Sequence, residues 1–302
     1  MKHYNNMTRQ AGMTLIELTV VLLILIGLAG LLVPYVGSFT QTTHDSTNSN
    51  NVAQLNSAML RYVSEKGHLP PHVDTLTNDN VGPGTGSCAG AQTAGDVYCG
   101  LANTAMFTPV TYAANSVGAV SLAKSGINMA VNNDPTIENK TFGTSTNMLM
   151  LGGNEGGTFA EVSDADFTDI AGMGYTVTAQ QQHVAAALGR DPMAYNSTCY
   201  DYIGVGLGDN NELIQSTMAA APIYFPKDAK AGPAQAYAHF IAILQVHSDN
   251  TTAGCPGVTE PAKFLGVVAN VPPADPATPT AGRLVGANTL LAQGWENRGA
   301  AN

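Results

Sequence analysis

Residues 12–39 read GMTLIELTVVLLILIGLAGLLVPYVGSF and form a long apolar stretch near the start of the 302-residue chain. From Leu18 to Phe39 there are 22 consecutive residues without a charge, most of them Leu, Val and Ile. A helix of that length extends for about 33 Å, which exceeds the roughly 30 Å thickness of a bilayer's hydrocarbon core. The stretch therefore predicts a helix that spans a membrane.

A short polar leader precedes this stretch. Residues 1–12 carry Lys2 and Arg9 as their only formal charges, and both are basic. Because basic residues flank the cytoplasmic side of membrane segments, the leader is expected to stay in the cytoplasm while the rest is exported. The alternative is an ordinary secretory signal peptide, which would be cleaved after Ala29 or Gly30.

Glu17, near the N-terminal end of the apolar stretch, argues against an ordinary signal peptide. A carboxylate costs about 2.5–3.5 kcal/mol at the centre of a membrane helix and less near the interface, and a signal peptide gains nothing from it. Gly12 stands immediately before Met13-Thr14-Leu15-Ile16-Glu17, at the point where the sequence changes from polar to apolar. This order of residues suggests a processing site followed by an assembly helix.

These residues resemble the class III signal of type IV prepilins and type II secretion pseudopilins. That signal is a short basic leader ending in Gly, then a hydrophobic or Met residue, Thr-Leu-Ile-Glu and a long aliphatic helix. The resemblance implies cleavage after Gly12 and N-methylation of the new first residue, Met13. It also makes Glu17 the family's acidic assembly residue and Pro34 its helix-kinking proline.

The resemblance gives Met13 and Glu17 a joint role in assembly. Cleavage exposes an ammonium group at Met13, one helical turn from the Glu17 carboxylate. In the family, the carboxylate of one subunit pairs with the amine of its neighbour while the aliphatic side chains supply burial. A buried ion pair adds little net stability but specifies register, so the loss of Glu17 is expected to harm assembly more than folding.

An amphipathic segment follows the apolar one. Residues 41–51 (QTTHDSTNSNN) are poor helix formers, which leaves a weak helix, a local melt or a flexible linker open there. A helical stripe then resumes and is expected to end at Gly67. The stripe consists of apolar residues spaced three and four apart, namely Val52, Leu55, Met59 and Tyr62.

Four parts of the chain are therefore expected. They are a prepilin leader (1–12), a hydrophobic transmembrane and filament-core helix (13–39), an amphipathic half of the same helix (40–66) and a globular β-rich head (67–302). The resemblance implies an α+β fold in which the long helix packs on an antiparallel sheet. Within the head, the apolar run Tyr237–Val246 predicts a central strand.

The head also contains further predicted elements. A helix is predicted at Gln180–Leu188, ended by Gly189, and another at Ser163–Ala171. The remaining strands are predicted at Ala105–Ala113, Tyr175–Ala179, Asp201–Leu207 and Phe264–Val271.

The chain contains four cysteines, which could form disulfides. In an exported protein an even number indicates disulfides, and four cysteines allow three connectivities. Cys88–Cys99 is favoured because Gly and Ala fill the short loop between them, and Cys199–Cys255 because it would enclose the predicted central strand. The second bond also resembles the disulfide-bounded C-terminal region of the family. A four-cysteine metal site is the alternative.

Composition excludes several function classes. The net charge is −10 and the isoelectric point is about 4.9, so general nucleic-acid binding is not expected. No nucleophile elbow, phosphate-binding loop or His-Glu-x-x-His motif occurs, so we predict no catalytic residue and no enzyme activity. No metal or other cofactor is predicted, because the histidine and carboxylate spacings match no known ligand pattern.

The predicted function is structural. The chain is expected to be a subunit of a helical extracellular filament, with itself, a prepilin peptidase and the inner-membrane assembly machinery as partners. It is expected in the inner membrane before assembly and at the cell surface afterwards. The alternatives are a pseudopilin of a type II secretion system and a membrane-anchored adhesive ectodomain.

Intact-mass spectrometry tests the processing prediction. The mature chain is expected to lack residues 1–12 and to carry one additional methyl group, because cleavage after Gly12 makes Met13 the methylated terminus. An uncut chain, or one that begins near Ala29, would show that the apolar stretch serves only as an anchor or signal peptide.

Overall fold

The computed structural model describes residues 15–77, 82–83, 91–92, 107–131, 148–150, 157–162, 178–224, 239–271 and 283–290. For residues 31–42, 82–83, 91–92, 131, 148–150, 179 and 283 it describes the backbone only. Several sequence predictions lie outside the described residues. They are the processing site at Gly12 and Met13, the Cys88–Cys99 disulfide and the helix at Ser163–Ala171.

The N-terminal part of the described chain is one helix, α1 (Leu15–Lys66). It continues through Pro34 and through the polar residues 41–51, where the sequence left a break open. It ends at Gly67, which has a φ of 76° and donates its amide to the Val63 carbonyl at 2.8 Å. Glycine adopts this left-handed conformation without steric cost, so α1 ends where the sequence predicts.

The predicted membrane-spanning role of residues 13–39 is wrong. Among the described residues, no helix combines the length and the apolarity needed to cross a bilayer.

Eleven strands are described in the head. In chain order they are β1 (Val73–Asp74), β2 (Gly82–Pro83), β3 (Ala91–Gln92), β4 (Phe107–Tyr112), β5 (Met129–Val131), β6 (Met148–Met150), β7 (Gly157–Val162), β8 (Tyr200–Gly206), β9 (Ile241–His247), β10 (Lys263–Val271) and β11 (Arg283–Val285). The predicted strands at Ala105–Ala113, Asp201–Leu207, Tyr237–Val246 and Phe264–Val271 are thus confirmed to within a few residues.

Nine of these strands form one sheet in the order β11-β10-β9-β8-β1-β5-β6, with β7 also pairing with β8 and β4 with β7. The sheet branches at β8, where Gly206 pairs with Asp74 of β1 while Ile203 and Gly204 pair with β7. Every pairing in the sheet is antiparallel except that of β1 with β5. The head is therefore α+β with a mainly antiparallel sheet.

Three shorter helices pack on the sheet: α2 (Val117–Lys124), α3 (Ala179–Leu188) and α4 (Glu212–Thr217). The start of α3 has a capping box between Thr178 and Gln181, and its C-terminal cap is Gly189 with a φ of 65°. The helix predicted at Gln180–Leu188 is confirmed. The strand predicted at Tyr175–Ala179 is not observed at its end, because Thr178 caps α3 and Ala179 opens it, and residues 175–177 lie outside the described residues.

The sheet is buried on both faces. On one face β8 and β9 direct Ile203, Val205 and Leu244 toward α1, α2 and α4. On the other face they direct Tyr202 and Ile243 toward α3. Since alternate residues of a strand point to opposite faces, a strand covered on both sides must be apolar throughout, which explains the continuous run in β9.

The disulfide Cys199–Cys255 is present, as the sequence predicts, with a Cα–Cα distance of 5.4 Å. It joins the residue before β8 to the loop between β9 and β10, across 56 positions of the chain. The backbone carbonyl of Cys199 also accepts the amides of Ser248 at 3.0 Å and Asp249 at 3.3 Å. The bond therefore holds the loop against the start of β8.

Removal of this disulfide tests its contribution to stability. The double substitution Cys199→Ala and Cys255→Ala is expected to lower the free energy of unfolding by about 4 kcal/mol, because an unfolded chain without the bond gains loop entropy. Urea unfolding of the oxidised wild type, the reduced wild type and the variant measures the difference. A change below about 1 kcal/mol would show that the bond is not structural.

Candidate assembly interface

The first four turns of α1 expose their apolar side chains. All the large apolar residues described there have between 51% and 82% of their surface accessible. They are Leu15, Ile16, Leu18, Val20, Val21, Leu22, Leu23, Ile24, Leu25, Ile26 and Leu28. A large exposed apolar patch normally marks a surface that binds other proteins or a membrane.

The exposed residues surround the helix completely. Successive residues of an α-helix are about 100° apart, so the seven residues Val20–Ile26 point in every direction around the axis. A helix that is apolar on all sides is stable only when it is surrounded, whereas an amphipathic helix buries one stripe. This segment of α1 therefore requires apolar neighbours on every side.

Polar features are sparse in this segment. Glu17 is the only residue with a formal charge between Leu15 and Thr43, and it lies in the first turn, where the helix dipole favours a negative charge. A Cβ atom built on Gly27 or Gly30 would meet nothing within 4 Å. The backbone at these two glycines is therefore open to close approach by another helix.

The sequence-predicted site residues fall into two groups. The structure places Glu17 on the exposed apolar segment, and α1 continues through Pro34. Gly12 and Met13 lie outside the described residues, so the predicted pairing of Met13 with Glu17 stays a prediction.

The second half of α1 is docked on the head. Val52, Leu55, Met59 and Tyr62 are at most 4% exposed and pack into the core between α1 and the sheet. The predicted apolar stripe is therefore confirmed as a docking face. The opposite side carries exposed residues, including the Arg61–Glu65 ion pair at 3.5 Å.

Polar contacts also hold α1 on the head, and the two that follow were not predicted from the sequence. The Asn56 Oδ1 atom accepts the Val267 amide of β10 at 2.8 Å. The Ser49 hydroxyl donates to the Ala287 carbonyl at 3.2 Å. Since the two residues of each hydrogen bond lie 211 and 238 positions apart, no local pattern in the sequence predicts these contacts.

The head also contains a part-buried carboxylate, that of Asp201, whose burial was not predicted from the sequence. Asp201 of β8 accepts the Tyr112 hydroxyl at 3.0 Å. Burial raises the pKa of the Asp201 carboxyl above its ordinary value, and hydrogen bonds from Ser248 and Tyr112 partly oppose that shift. Burial and the neighbouring Asp201 charge raise the pKa of Tyr112 as well.

One histidine lies just before β9 and another is its last residue. His247 is 1% exposed, its Nδ1 atom accepts the Glu260 amide at 2.9 Å, and its Nε2 atom therefore donates to the Asp249 carbonyl at 2.9 Å. Burial lowers the pKa of His239. In the described part of the chain, no three His, Cys, Asp or Glu side chains lie close enough to hold a metal ion.

Comparison with protein-family models, with curated proteins and with solved structures finds no match for this chain.

The pKa of Asp201 generates a pH-dependent prediction. A raised pKa in the folded state stabilises the fold below the ordinary Asp value of about 3.9, and this contribution is lost as the pH rises through the folded pKa. Asp201→Asn keeps an oxygen acceptor for Tyr112 and removes the charge. The stability of the variant relative to wild type is therefore expected to increase as the pH is raised from 3 to 7. Urea unfolding at both pH values measures this difference. An identical stability difference at both pH values would contradict the assigned burial cost.

Proposed function

We propose that this chain is the structural subunit of a helical extracellular filament of the type IV pilus kind. The filament is assembled through the first turns of α1, after a prepilin peptidase has removed residues 1–12 and Met13 has been methylated. The role is structural and not catalytic. The observation that carries the proposal is the complete circle of exposed apolar side chains from Leu15 to Leu28.

Burial of this circle supplies the driving force for assembly. Each Leu, Val or Ile side chain contributes up to about 1.5–3 kcal/mol when it passes from full exposure to full burial. Eleven such residues lie on one short helical segment. Because a pair of helices covers only one stripe of each partner, burial of all sides requires several neighbouring helices. A polymer of identical chains provides them.

Glu17 and the two glycines fit this arrangement. Burial of aliphatic side chains is non-directional and leaves the helices free to slide along one another. A single carboxylate near the helix N-terminus, paired with the amine of a neighbour's Met13, fixes the axial position of each added subunit. Gly27 and Gly30 let neighbouring backbones approach closely where a larger side chain would hold them apart.

The head supports an extracellular location. The Cys199–Cys255 disulfide belongs to an oxidising compartment, since the cytosol keeps most thiols reduced. The docked half of α1 ties this disulfide-bonded head to the assembly segment, so the head is displayed on the outside of the filament.

Two single substitutions in α1 test the proposal. Glu17→Ala is expected to abolish filaments, because the amine of a neighbouring Met13 would become an unpaired buried charge, at a cost of about 3–5 kcal/mol. The matched control is Glu65→Ala, which removes the same charge from an exposed position of the same helix. Electron microscopy counts the filaments, and the Cys199–Cys255 bond reports that the head has folded.

Filaments of normal number and shape from Glu17→Ala would refute the proposed pairing. The composition of wild-type filaments gives a separate answer. Filaments made chiefly of this chain identify a pilus subunit, whereas a short stub of mixed subunits identifies a pseudopilin of a type II secretion system.

A further inference from the structure

The two halves of the Cys199–Cys255 disulfide lie in different surroundings. Cys199 directly precedes β8 and is 2% exposed. Cys255 lies in the loop between β9 and β10, where it is partly exposed, and residues 253–254 and 257–258 on either side of it are exposed. Exchange of a disulfide with a thiol requires access to the sulfur that is attacked. A thiolate that enters from solvent therefore reaches the bond from the Cys255 side.

The side chain of Asn196 contacts the buried sulfur. Its Nδ2 atom donates to the Cys199 Sγ atom at 3.3 Å, and its Oδ1 atom accepts the Thr198 amide at 2.9 Å. The second bond fixes the orientation of the side-chain amide, because the Thr198 N–H can only donate. The backbone amide of Asn196 donates to the Tyr202 hydroxyl at 2.8 Å, so β8 also holds this residue in place.

The contact between Asn196 and Cys199 becomes stronger when the disulfide opens. Sulfur without a charge is a weak hydrogen-bond acceptor, whereas a thiolate is ionised, and hydrogen bonds to ionised groups are about twice as strong as neutral ones. The Asn196 amide therefore stabilises a Cys199 thiolate more than it stabilises the intact bond. In thiol–disulfide exchange, the sulfur that forms the more stable thiolate is the better leaving group.

We propose that this disulfide exchanges with an external thiol at Cys255, with Cys199 as the leaving group. The incoming thiolate attacks the Cys255 Sγ atom and forms a new S–S bond there, while the bond between Cys255 and Cys199 breaks. The electron pair of the broken bond stays on the Cys199 Sγ atom as a thiolate, which accepts the hydrogen bond from Asn196.

The same steps in reverse close the bond during oxidative folding. The mixed disulfide with an external disulfide compound forms at Cys255, and the Cys199 thiolate then attacks the Cys255 Sγ atom and releases the external thiol. Asn196 is a positioning residue in both directions, because it acts through the Cys199 sulfur. The inference rests on the head alone and holds whether or not the chain forms filaments.

Trapping of the mixed disulfide tests which sulfur is attacked. The detergent-solubilised full chain is treated briefly with glutathione and quenched with excess N-ethylmaleimide. Trypsin then places Cys199 in residues 191–227 and Cys255 in residues 231–263, apart from the other two cysteines in residues 67–124. Mass spectrometry is expected to find glutathione on Cys255 and N-ethylmaleimide on Cys199, in about tenfold excess over the reverse arrangement.

Two substitutions of Asn196 isolate the hydrogen-bond donor. Asn196→Ser keeps a short acceptor for the Thr198 amide and removes the group that reaches the Cys199 sulfur. Asn196→Asp keeps the acceptor and places a negative charge beside that sulfur. Reduction by dithiothreitol is expected to be about fivefold slower in Asn196→Ser, because one hydrogen bond to the developing charge is lost, and slower again in Asn196→Asp.

The matched control is Asn250→Ala, which removes a side-chain amide from the loop that carries Cys255 and is expected to react at the wild-type rate. Circular dichroism before reduction verifies that each variant is folded, and either Asn196 variant decides the question if the other does not fold.

Three results would each overturn the inference. They are glutathione on Cys199 at least as often as on Cys255, reduction of a folded Asn196 variant at the wild-type rate or faster, and a slowing in Asn250→Ala equal to that in Asn196→Ser. Glutathione on Cys255, together with slower reduction in the Asn196 variants alone, would support it.

Discussion

The rest of the structure depends on one fact about α1: the helix is longer than the part of it that packs on the head. The helix has 52 residues, and among its described side chains the fully buried ones begin at Asn48. At 1.5 Å per residue, the 33 residues of α1 before Asn48 extend for about 50 Å. The exposed apolar residues Leu15–Leu28 lie within this length, and the proposed filament would bury them.

The docked half of α1 differs clearly from the exposed first turns of the same helix. Its buried residues follow one stripe, and its outer side is mainly polar and charged, although Leu60 is also exposed there. Asn56 adds a directional contact to the non-directional packing of Leu55 and Met59 and fixes how far the helix lies along β10. A single helix thereby has one segment that is docked on the head and one segment, Leu15–Leu28, whose large apolar side chains are exposed.

Local sequence patterns predicted much of this fold. The stripe from Val52 to Tyr62, the stop at Gly67 and the strands β8, β9 and β10 follow from periodicity, because each pattern repeats over several residues. The capping residues Thr178 and Gly189 likewise marked α3. For the candidate site, the sequence located the apolar segment and Glu17, because composition alone marks them.

The remaining features depend on distant partners. The prediction that residues 13–39 span a membrane was wrong, because it rested on a count of uncharged residues. The parallel pairing of β1 with β5, the packing of α3 on the second face and the contact of Asn56 with Val267 have no local signature. The α2 helix was missed since its core residues, Ala119 and Leu122, are few, and Ser116 alone did not distinguish its cap from a turn.

The position of the disulfide has a mechanical consequence for a chain that is pulled from its two ends. The bond encloses β8, β9 and the loop that leads to β10, a stretch of 56 positions. At about 3.4 Å per residue, roughly 190 Å of contour length is thus withheld from extension even when the hydrogen bonds of these strands have broken. Tension transmitted through α1 can loosen the head but cannot draw out its central strands while the sulfur–sulfur bond is intact.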